Sequence, residues 1–566
     1  MYFMALATDY DGTVAHDGSV SKKTIAALDR LKRSGRKLVL VTGRELDDLK
    51  RAFPEHRMFD RVVAENGALV YSPASEDEAL LAPPPPAKFV RELEKRAVKP
   101  LSVGRSIVAT WEPHQATVLD VIKKLNLELE IIFNKGAVMV LPSGINKATG
   151  LGAALADLSL SPHNVVGIGD AENDHAFMRA CGCSVAVDNA LKAVKDTADI
   201  VTKGKRGAGV EELVRKLLKH DHDLGIKRRD GVAIGKDGEK DIVIWPTDTV
   251  LVAGSSGIGK STLATALAER FTERKYQFCI IDPEGDYDGL QDAIGIGDGK
   301  SSPTKEQVLA LLDQIGTNVV VNLLALKVED RPEFAVELMP EITRLRSKTA
   351  RPHWLIVDEA HHLLPKKRAD MKVLISAEMP GTVLITVDPG ALAAEALKLV
   401  TVVIGIGPHA NDIVAAVAKA AGIAVPKPAK PLKDEQVLFW RRGEDPHAVT
   451  AVEPQQSLKR HSRKYAEGTL DERGSFYFTG PEDTMKLRAQ NLEIFVQIAE
   501  GIDDATWQHH LRAGDYSRWF RTQIRDKKLA KEAAKAEEDK TLSAKESREI
   551  ILAAVRRRYT APASGD

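Results

Sequence analysis

The chain has 566 residues, 43% hydrophobic and 28% charged, with 80 basic residues against 80 acidic ones. At about 150 residues per domain, that length predicts three or four folded units and excludes a peptide-sized binder. The charge balance gives no argument for nucleic acid, and no uninterrupted apolar run reaches the roughly 18 residues of a membrane span.

The first element is a short buried strand, Phe3 to Thr8, running into Asp9-Tyr-Asp11-Gly12-Thr13. Lys37 to Val41 is a second strand, ending in Thr42-Gly43-Arg44, and Val165 to Ile168 another, ending in Gly169-Asp170-Ala-Glu-Asn173-Asp174. Polar groups at strand C-termini are where open α/β sheets place their sites. Ile25, Leu28 and Leu31 recur at helical spacing between the first two strands, so the strands are expected to be parallel.

DYDGT, the TGR turn, Glu65-Asn66-Gly67-Ala68, Lys147 in Ser143-Gly-Ile-Asn-Lys147, and GDAEND stand in this order over the first 215 residues. Together they resemble the haloacid dehalogenase-like phosphatases, in particular the Cof-type branch with an inserted cap. The resemblance implies that Asp9 is a nucleophile forming an aspartyl phosphate and that Asp11 is the acid, then the base for water. It also implies a metal site of Asp9, Asp11, Asp170 and Asp174, with Thr42 and Lys147 on the phosphoryl group. A carboxylate attacking a dianionic phosphate needs charge neutralisation, so Mg²⁺ is the expected cation. Asn173 is placed to orient the metal site.

The tract Pro83 to Pro86 interrupts the sheet pattern, and a small α/β insertion follows, with helical Phe89 to Arg96 and strand-like Glu130 to Phe133 and Val138 to Leu141. It reads as the cap, about 76–140, splitting a core of 1–75 and 141–215. A short cap implies, by the resemblance, a small phosphoester related to phosphoglycolate or a sugar phosphate.

Lys216 to Lys240 is rich in charge and glycine, including His220-Asp-His-Asp223 and Lys227-Arg-Arg229, and reads as a solvated linker. Val250 to Ala253 is then a strand followed by Gly254-Ser-Ser-Gly257-Ile-Gly259-Lys260-Ser261-Thr262 and a helix with Leu263, Ala266 and Leu267 on one face. G-x-x-x-x-G-K-[ST] between a strand and a helix is a phosphate loop. Its backbone N–H groups cradle phosphates, Lys260 supplies mobile positive charge, and the Ser261 hydroxyl ligates Mg²⁺. The expected ligand is ATP.

Gln277 to Ile281 is a strand ending in Asp282-Pro-Glu284-Gly-Asp286-Tyr287, and Trp354 to Val357 one ending in Asp358-Glu359-Ala-His-His362. Asp358 is expected near the Mg²⁺ shell, and Glu359 is placed to polarise the attacking water. GSSGIGKST, IDPEGDYDGL and LIVDEAHHLLP together resemble the HerA and FtsK-like ATPases of RecA fold over about 226–455. That group commonly forms rings that translocate nucleic acid, which implies a homo-oligomer, a hexamer by resemblance, and leaves DNA or RNA open as partners. Where the group usually carries a glutamine sensor after a threonine, this chain has Val387 after Thr386. Arg441 and Arg442 are the candidates for an arginine finger, by lying late in the domain.

In 456–566, Leu492, Phe495, Val496 and Ala499 form one helical stripe, and Trp507, Tyr516, Trp519 and Phe520 gather around His509-His510. A helical module with an aromatic core is expected. Lys527 to Arg548 reads as a solvated helix. Basic groups at Lys459 to Lys464, Lys366-Lys-Arg368 and Arg556-Arg-Arg558 either line a phosphate-backbone channel or are scattered surface charge. Cys181, Cys183 and Cys279 are too few for a disulfide framework. Asp9 and Asp11 interrupt the apolar start before a signal-peptide core, so a soluble, cytoplasmic protein is expected.

The fold class expected is α/β and multidomain: a Rossmann-like phosphatase core with a small α/β cap (1–215), a RecA-like P-loop ATPase domain (226–455) and an α-helical C-terminal module. The function expected is a phosphomonoester hydrolase joined to an ATP hydrolase. Three alternatives stand beside it: a nucleic-acid motor or defence ATPase with a phosphatase effector, a polynucleotide kinase-phosphatase, and a nucleotide-gated assembly scaffold. The Asp358–Glu359 pair and the cap argue against the kinase, and Val387 favours the scaffold.

Overall fold

The computed structural model describes residues 2–134, 136–221, 224, 231–366, 379–433, 435–455, 470, 472, 474–481, 485–524 and 526–559. Lys227–Arg229, Lys459–Lys464, Lys367 and Arg368 lie outside them.

An eight-stranded sheet runs in the order Ile200–Val201, Cys183–Ala186, Val165–Gly169, Ala5–Asp9, Lys37–Val41, Arg61–Ala64, Leu69–Ser72, Asp77–Leu80. The first six strands are parallel, and Leu69–Ser72 pairs antiparallel with both of its neighbours. Its central strands are almost wholly buried apolar runs, as expected where helices cover both faces. Asp9 ends one central strand and Asp170 follows the strand beside it.

Asp77–Leu80 belongs to this sheet, and a separate antiparallel sheet comprises Leu129–Asn134, Ala137–Pro142, Val108–Trp111 and Ser102–Val103. Period-two alternation divides its residues. Val138 and Val140 pack with Phe89, Leu93, Val118 and Val121 of two helices, while Met139 and Leu141 join a cluster with Ala68 and Ile145 of the core.

The third sheet has eleven strands: Lys240–Ile244, Val232–Asp237, His447–Ala451, Gln436–Arg441, Val402–Gly405, Thr249–Ala253, Thr382–Thr386, Trp354–Val357, Phe278–Asp282, Asn318–Asn322 and Ala293–Ile296. The seven from Val402 onwards in that order are parallel. One strand, Thr382–Thr386, separates the strand before the phosphate loop from the strand before Asp358. This is the RecA-like arrangement expected from sequence.

After 475 a hairpin and five helices enclose an aromatic core in which Trp507 stacks on Tyr516 at 4.3 Å. His510 is a core residue, its Nδ1 2.7 Å from Asp515 Oδ2 and its Nε2 accepting from the Thr479 N–H at 2.9 Å.

Two expectations are corrected. His220 ends the helix Gly207–His220, and Asp221 is no solvated linker residue. Its buried carboxylate takes the Tyr2 and Phe3 N–H groups and the Arg36 guanidinium. The helix Lys527–Glu538 is not simply solvated, because Leu529, Ala530, Ala533 and Ala536 pack into the aromatic core. Of the two readings left for Arg556, Arg557 and Arg558, the pairing with Glu500, Glu532 and Glu532 respectively favours balanced surface charge over a channel lining.

The first and third sheets meet through buried polar groups. His163 stacks on Tyr276 at 4.1 Å and its Nε2 lies 2.8 Å from the Arg274 carbonyl. His353 Nδ1 accepts from the Gln277 N–H at 2.9 Å, so its Nε2–H donates to Asn164 Oδ1 at 3.1 Å. Asn164 in turn donates to the Tyr2 carbonyl, and Arg351 bridges Gln277 Oε1 and the Ser159 carbonyl. Asn164, His353 and Gln277 each directly precede a strand, so the joint lies at N-terminal strand ends.

Burial, then the positive fields of His163, Arg351 and Arg346, hold the His353 imidazole well below its ordinary value of 6.5. The unfolded chain therefore binds a proton near pH 6.5 that the folded chain refuses. Stability from this group is complete above that pH and declines below it, by up to about 1.4 kcal/mol per pH unit. Denaturant titrations at pH 7.5 and 5.5 should show wild type losing stability on acidification, and His353→Gln losing less by that slope.

Candidate active sites

The first site forms where the strand Ala5–Asp9 ends. Carboxylate oxygens of Asp9, Asp170 and Asp174, all buried, lie within 4.8 Å of one another. Lys147 opens the helix Lys147–Asp157, whose start is fixed by an Asn146 capping box. Its buried Nζ lies 2.6 Å from both Asp9 Oδ1 and Asp174 Oδ1. Asp174 is aimed by its second oxygen, which accepts the Asp170 and Ala171 N–H groups at 2.9 Å. Gly12 has φ +87°, and a Cβ there would stand 2.4 Å from Asp170 Oδ2, so only glycine lets the chain pass this carboxylate.

Burial, then the Asp174 charge, raise the Asp9 carboxyl to about 8 against the opposing pull of Lys147. Burial likewise works against the Lys147 ammonium, but Asp174 and Asp9 overcome it and hold the lysine above its usual range. Three carboxylates face one ammonium, and the surplus negative charge, concentrated out of water, suits a hard divalent cation. Asp11 stands outside this cluster. Arg44 holds its carboxylate in a fork, with both contacts at 2.7 Å, and donates to Asp48 as well. Asp9 is in register with Val41, so Thr42 follows directly beside it, its hydroxyl accepting from the Arg44 N–H. Asn173 donates to Asn66 Oδ1 at 2.9 Å, which leaves Asn66 Nδ2 and Asn173 Oδ1 buried without a partner.

The second site forms where Thr249–Ala253 ends. Gly254 continues from the strand, and Gly257 and Gly259 hold φ of 69° and 105°, which a side chain resists. Lys260 opens the helix Lys260–Glu273 and its Nζ donates to the Ser255 carbonyl at 3.1 Å. The Ser261 hydroxyl donates to Asp286 Oδ2 at 2.9 Å, and Thr262 is exposed. Asp358 is buried, and burial, then the Asp282 charge, raise it to about 8. Burial also raises Glu359, with Lys260 opposing, and lowers Lys260, with Glu359 and Asp358 opposing.

Sequence reasoning placed the acids after the strand Phe278–Asp282 but gave them no role. Asp282 accepts N–H groups of Glu284, Asp286 and Tyr287, which shapes the loop and delivers Asp286 to Ser261. The run Asp-x-Glu-x-Asp at a strand end was the available signal. Arg441 and Arg442, the arginine-finger candidates, are both held by groups of their own chain. Arg441 is bound to Asp248 and the Val243 carbonyl and lies over Trp245, and Arg442 donates to the Lys398 and Val400 carbonyls.

The family model of haloacid dehalogenase-like hydrolases matches residues 6–99 and 107–214, and that of the Helicase HerA central domain matches 245–378. Phosphoglycolate phosphatase of Methanopyrus kandleri is 30% identical over 229 residues, covering 38% of this chain and 96% of its own. The chain belongs to the haloacid dehalogenase-like hydrolases. Phosphoglycolate phosphatase 2 of Saccharolobus solfataricus is 28% identical over 223 residues, covering 38% of this hydrolase and 91% of its own chain. A solved haloacid dehalogenase-like hydrolase from Bacteroides thetaiotaomicron is 19% identical, covers 38% of this chain and 99% of its own, and has a TM-score of 0.33.

In this hydrolase a carboxylate quoted from the sequence without a role, Glu65, ties the cap sheet to the core. Glu65 is fully buried and accepts the Arg105, Ser106 and Ile107 N–H groups at 2.9, 2.7 and 3.1 Å. It fixes the loop that leads to the strand Val108–Trp111. No helix of the described residues is long and apolar enough to cross a membrane.

Without nucleotide, a divalent cation should stabilise the hydrolase by about 2.7 kcal/mol at a hundredfold excess over its Kd. Asp170→Asn should remove most of that shift, and should be no less stable than wild type without the cation, because a like charge is gone. Thermal unfolding with and without Mg²⁺ measures both.

Proposed function

We propose that residues 1–215 are a Mg²⁺-dependent phosphomonoester hydrolase working through an aspartyl phosphate on Asp9, and that residues 226–455 are an ATP hydrolase. The observation that carries the first part is the buried Lys147 bridge between Asp9 and Asp174. It fixes one Asp9 oxygen and supplies positive charge where a phosphoryl group would sit. Asp9, Asp170 and Asp174 would hold Mg²⁺, which when bound neutralises the phosphate and lets an anionic carboxylate approach it. The cation also offsets the like charge that raises Asp9.

In the reaction proposed, an Asp9 carboxylate oxygen attacks phosphorus and the ester P–O bond breaks. The leaving oxygen takes a proton from Asp11. Asp11 then takes a proton from water, whose oxygen attacks phosphorus and frees Asp9 and inorganic phosphate. Thr42 and Lys147 hold the phosphoryl oxygens, the positioning that phosphoryl transfer mostly requires. The Arg44–Asp11 fork has to open for Asp11 to reach a leaving oxygen. Met139 and Ala109 on the core-facing side of the cap sheet suit a small leaving group, and the relatives' names favour a phosphoglycolate-like or sugar-phosphate substrate.

The ATPase reading rests on Lys260 and Ser261 facing Asp358, Glu359 and Asp286, together with the HerA-domain match. Mg²⁺ would lie at Ser261, with Asp358 near it and Glu359 acting on water. Purified full-length protein should release phosphate from small phosphomonoesters with Mg²⁺, and separately from ATP. Asp9→Asn should lower the first by more than about 1,000-fold and spare the second. Lys260→Ala should do the reverse. Loss of both activities in either variant would contradict two separate centres.

A further inference from the structure

The residue after Thr386 is Val387, which has no polar side-chain atom to reach a nucleotide. A different side chain links Glu359 to this strand. His361, on the short helix Ala360–Leu363, places Nδ1 3.3 Å from Glu359 Oε2 and 3.2 Å from Thr386 Oγ1. The Thr386 hydroxyl donates to the Asp388 carbonyl and accepts from the Asp388 N–H. Its single proton is therefore used, and the hydrogen in the third contact comes from His361 Nδ1–H. The Glu359 carboxylate stands 3.3 Å from the same ring nitrogen.

Three further observations bear on the link. Glu359 sits at φ 42° and ψ 47°, a left-handed conformation that costs a non-glycine residue and persists only where its surroundings hold it. Thr386 is fully buried and paired in register with Ala253, the residue before the phosphate loop. His362, beside His361, packs against its ring with centroids 4.2 Å apart and limits how it can turn.

We propose that His361 is the positioning residue of the ATPase centre, holding the Glu359 carboxylate in a fixed relation to Thr386 and so to the strand that carries the phosphate loop. This rests on the ATPase reading above. In this role Glu359 is the group that acts on water, and His361 acts through Glu359. Its loss lowers turnover and leaves nucleotide affinity intact.

The test uses full-length protein, ATP turnover and a fluorescent ATP analogue. His361→Ala should lower kcat about 100-fold, the scale of a misplaced catalytic group, with KM and analogue affinity within about twofold of wild type. His361→Asn, whose amide N–H falls near the position of Nδ1, should recover at least about tenfold of that loss. Thr386→Val should match His361→Ala, and the double variant should be no slower than either. Wild-type kcat in His361→Ala, or a loss that appears in KM and is not recovered by asparagine, overturns the role of His361 while the ATPase reading stands. A wild-type chain that binds ATP and never hydrolyses it overturns both. Phosphomonoesterase activity of each variant, expected at the wild-type level, reports that the chain has folded.

Discussion

Carboxylates held out of water at the C-terminal ends of parallel strands, with one lysine facing each group, organise both of the sites in this molecule. In the hydrolase core the lysine is Lys147 between Asp9 and Asp174, and in the P-loop region it is Lys260 facing Asp358 and Glu359. Such clusters are costly to bury, and each lysine offsets only part of the like charge. Asp9 and Asp358 are both raised to about 8 as a result. The surrounding scaffold exists to hold that arrangement: backbone N–H groups fix Asp174 and Asp282, and Gly12 lets the chain pass Asp170 without collision.

The same strands explain how two centres share one chain without sharing a cavity. Asn164 and His353 meet at the N-terminal ends of Val165–Gly169 and Trp354–Val357, whose C-terminal ends lead to Asp170 and Asp358. A strand of five residues spans about 16 Å, so each acidic cluster lies a full strand length away from the joint. The joint is polar and fully satisfied at His353 and Asn164. Polar contacts of this kind fix one orientation, where an apolar seam could slide.

Much of this was legible in the sequence because the signals are local. A strand running straight into Asp9-Tyr-Asp11, or into Gly254 and Lys260-Ser261, encodes both the element and the group it delivers. What the sequence hid is made of long-range pairs. Asp221 looked like a linker acid, since nothing near it announces Tyr2, Phe3 and Arg36 as partners. For Arg556, Arg557 and Arg558 the choice between channel lining and surface charge stayed open because Glu500 and Glu532 lie on other helices. Ala530, Ala533 and Ala536 were masked by the charges between them, and nothing near His361 announces Thr386, which lies on a strand distant in sequence.

The central claim is that each cluster is built to take one divalent cation beside its lysine, the second only in company with a triphosphate. Anomalous diffraction from crystals of the full chain grown with Mn²⁺, without and with a non-hydrolysable ATP analogue, tests it most directly. The account predicts a peak among Asp9, Asp170 and Asp174 in both crystals, and a second peak at Ser261 only with the nucleotide. No peak beside Asp9 and Asp170, or a nucleotide bound away from Lys260, would contradict it.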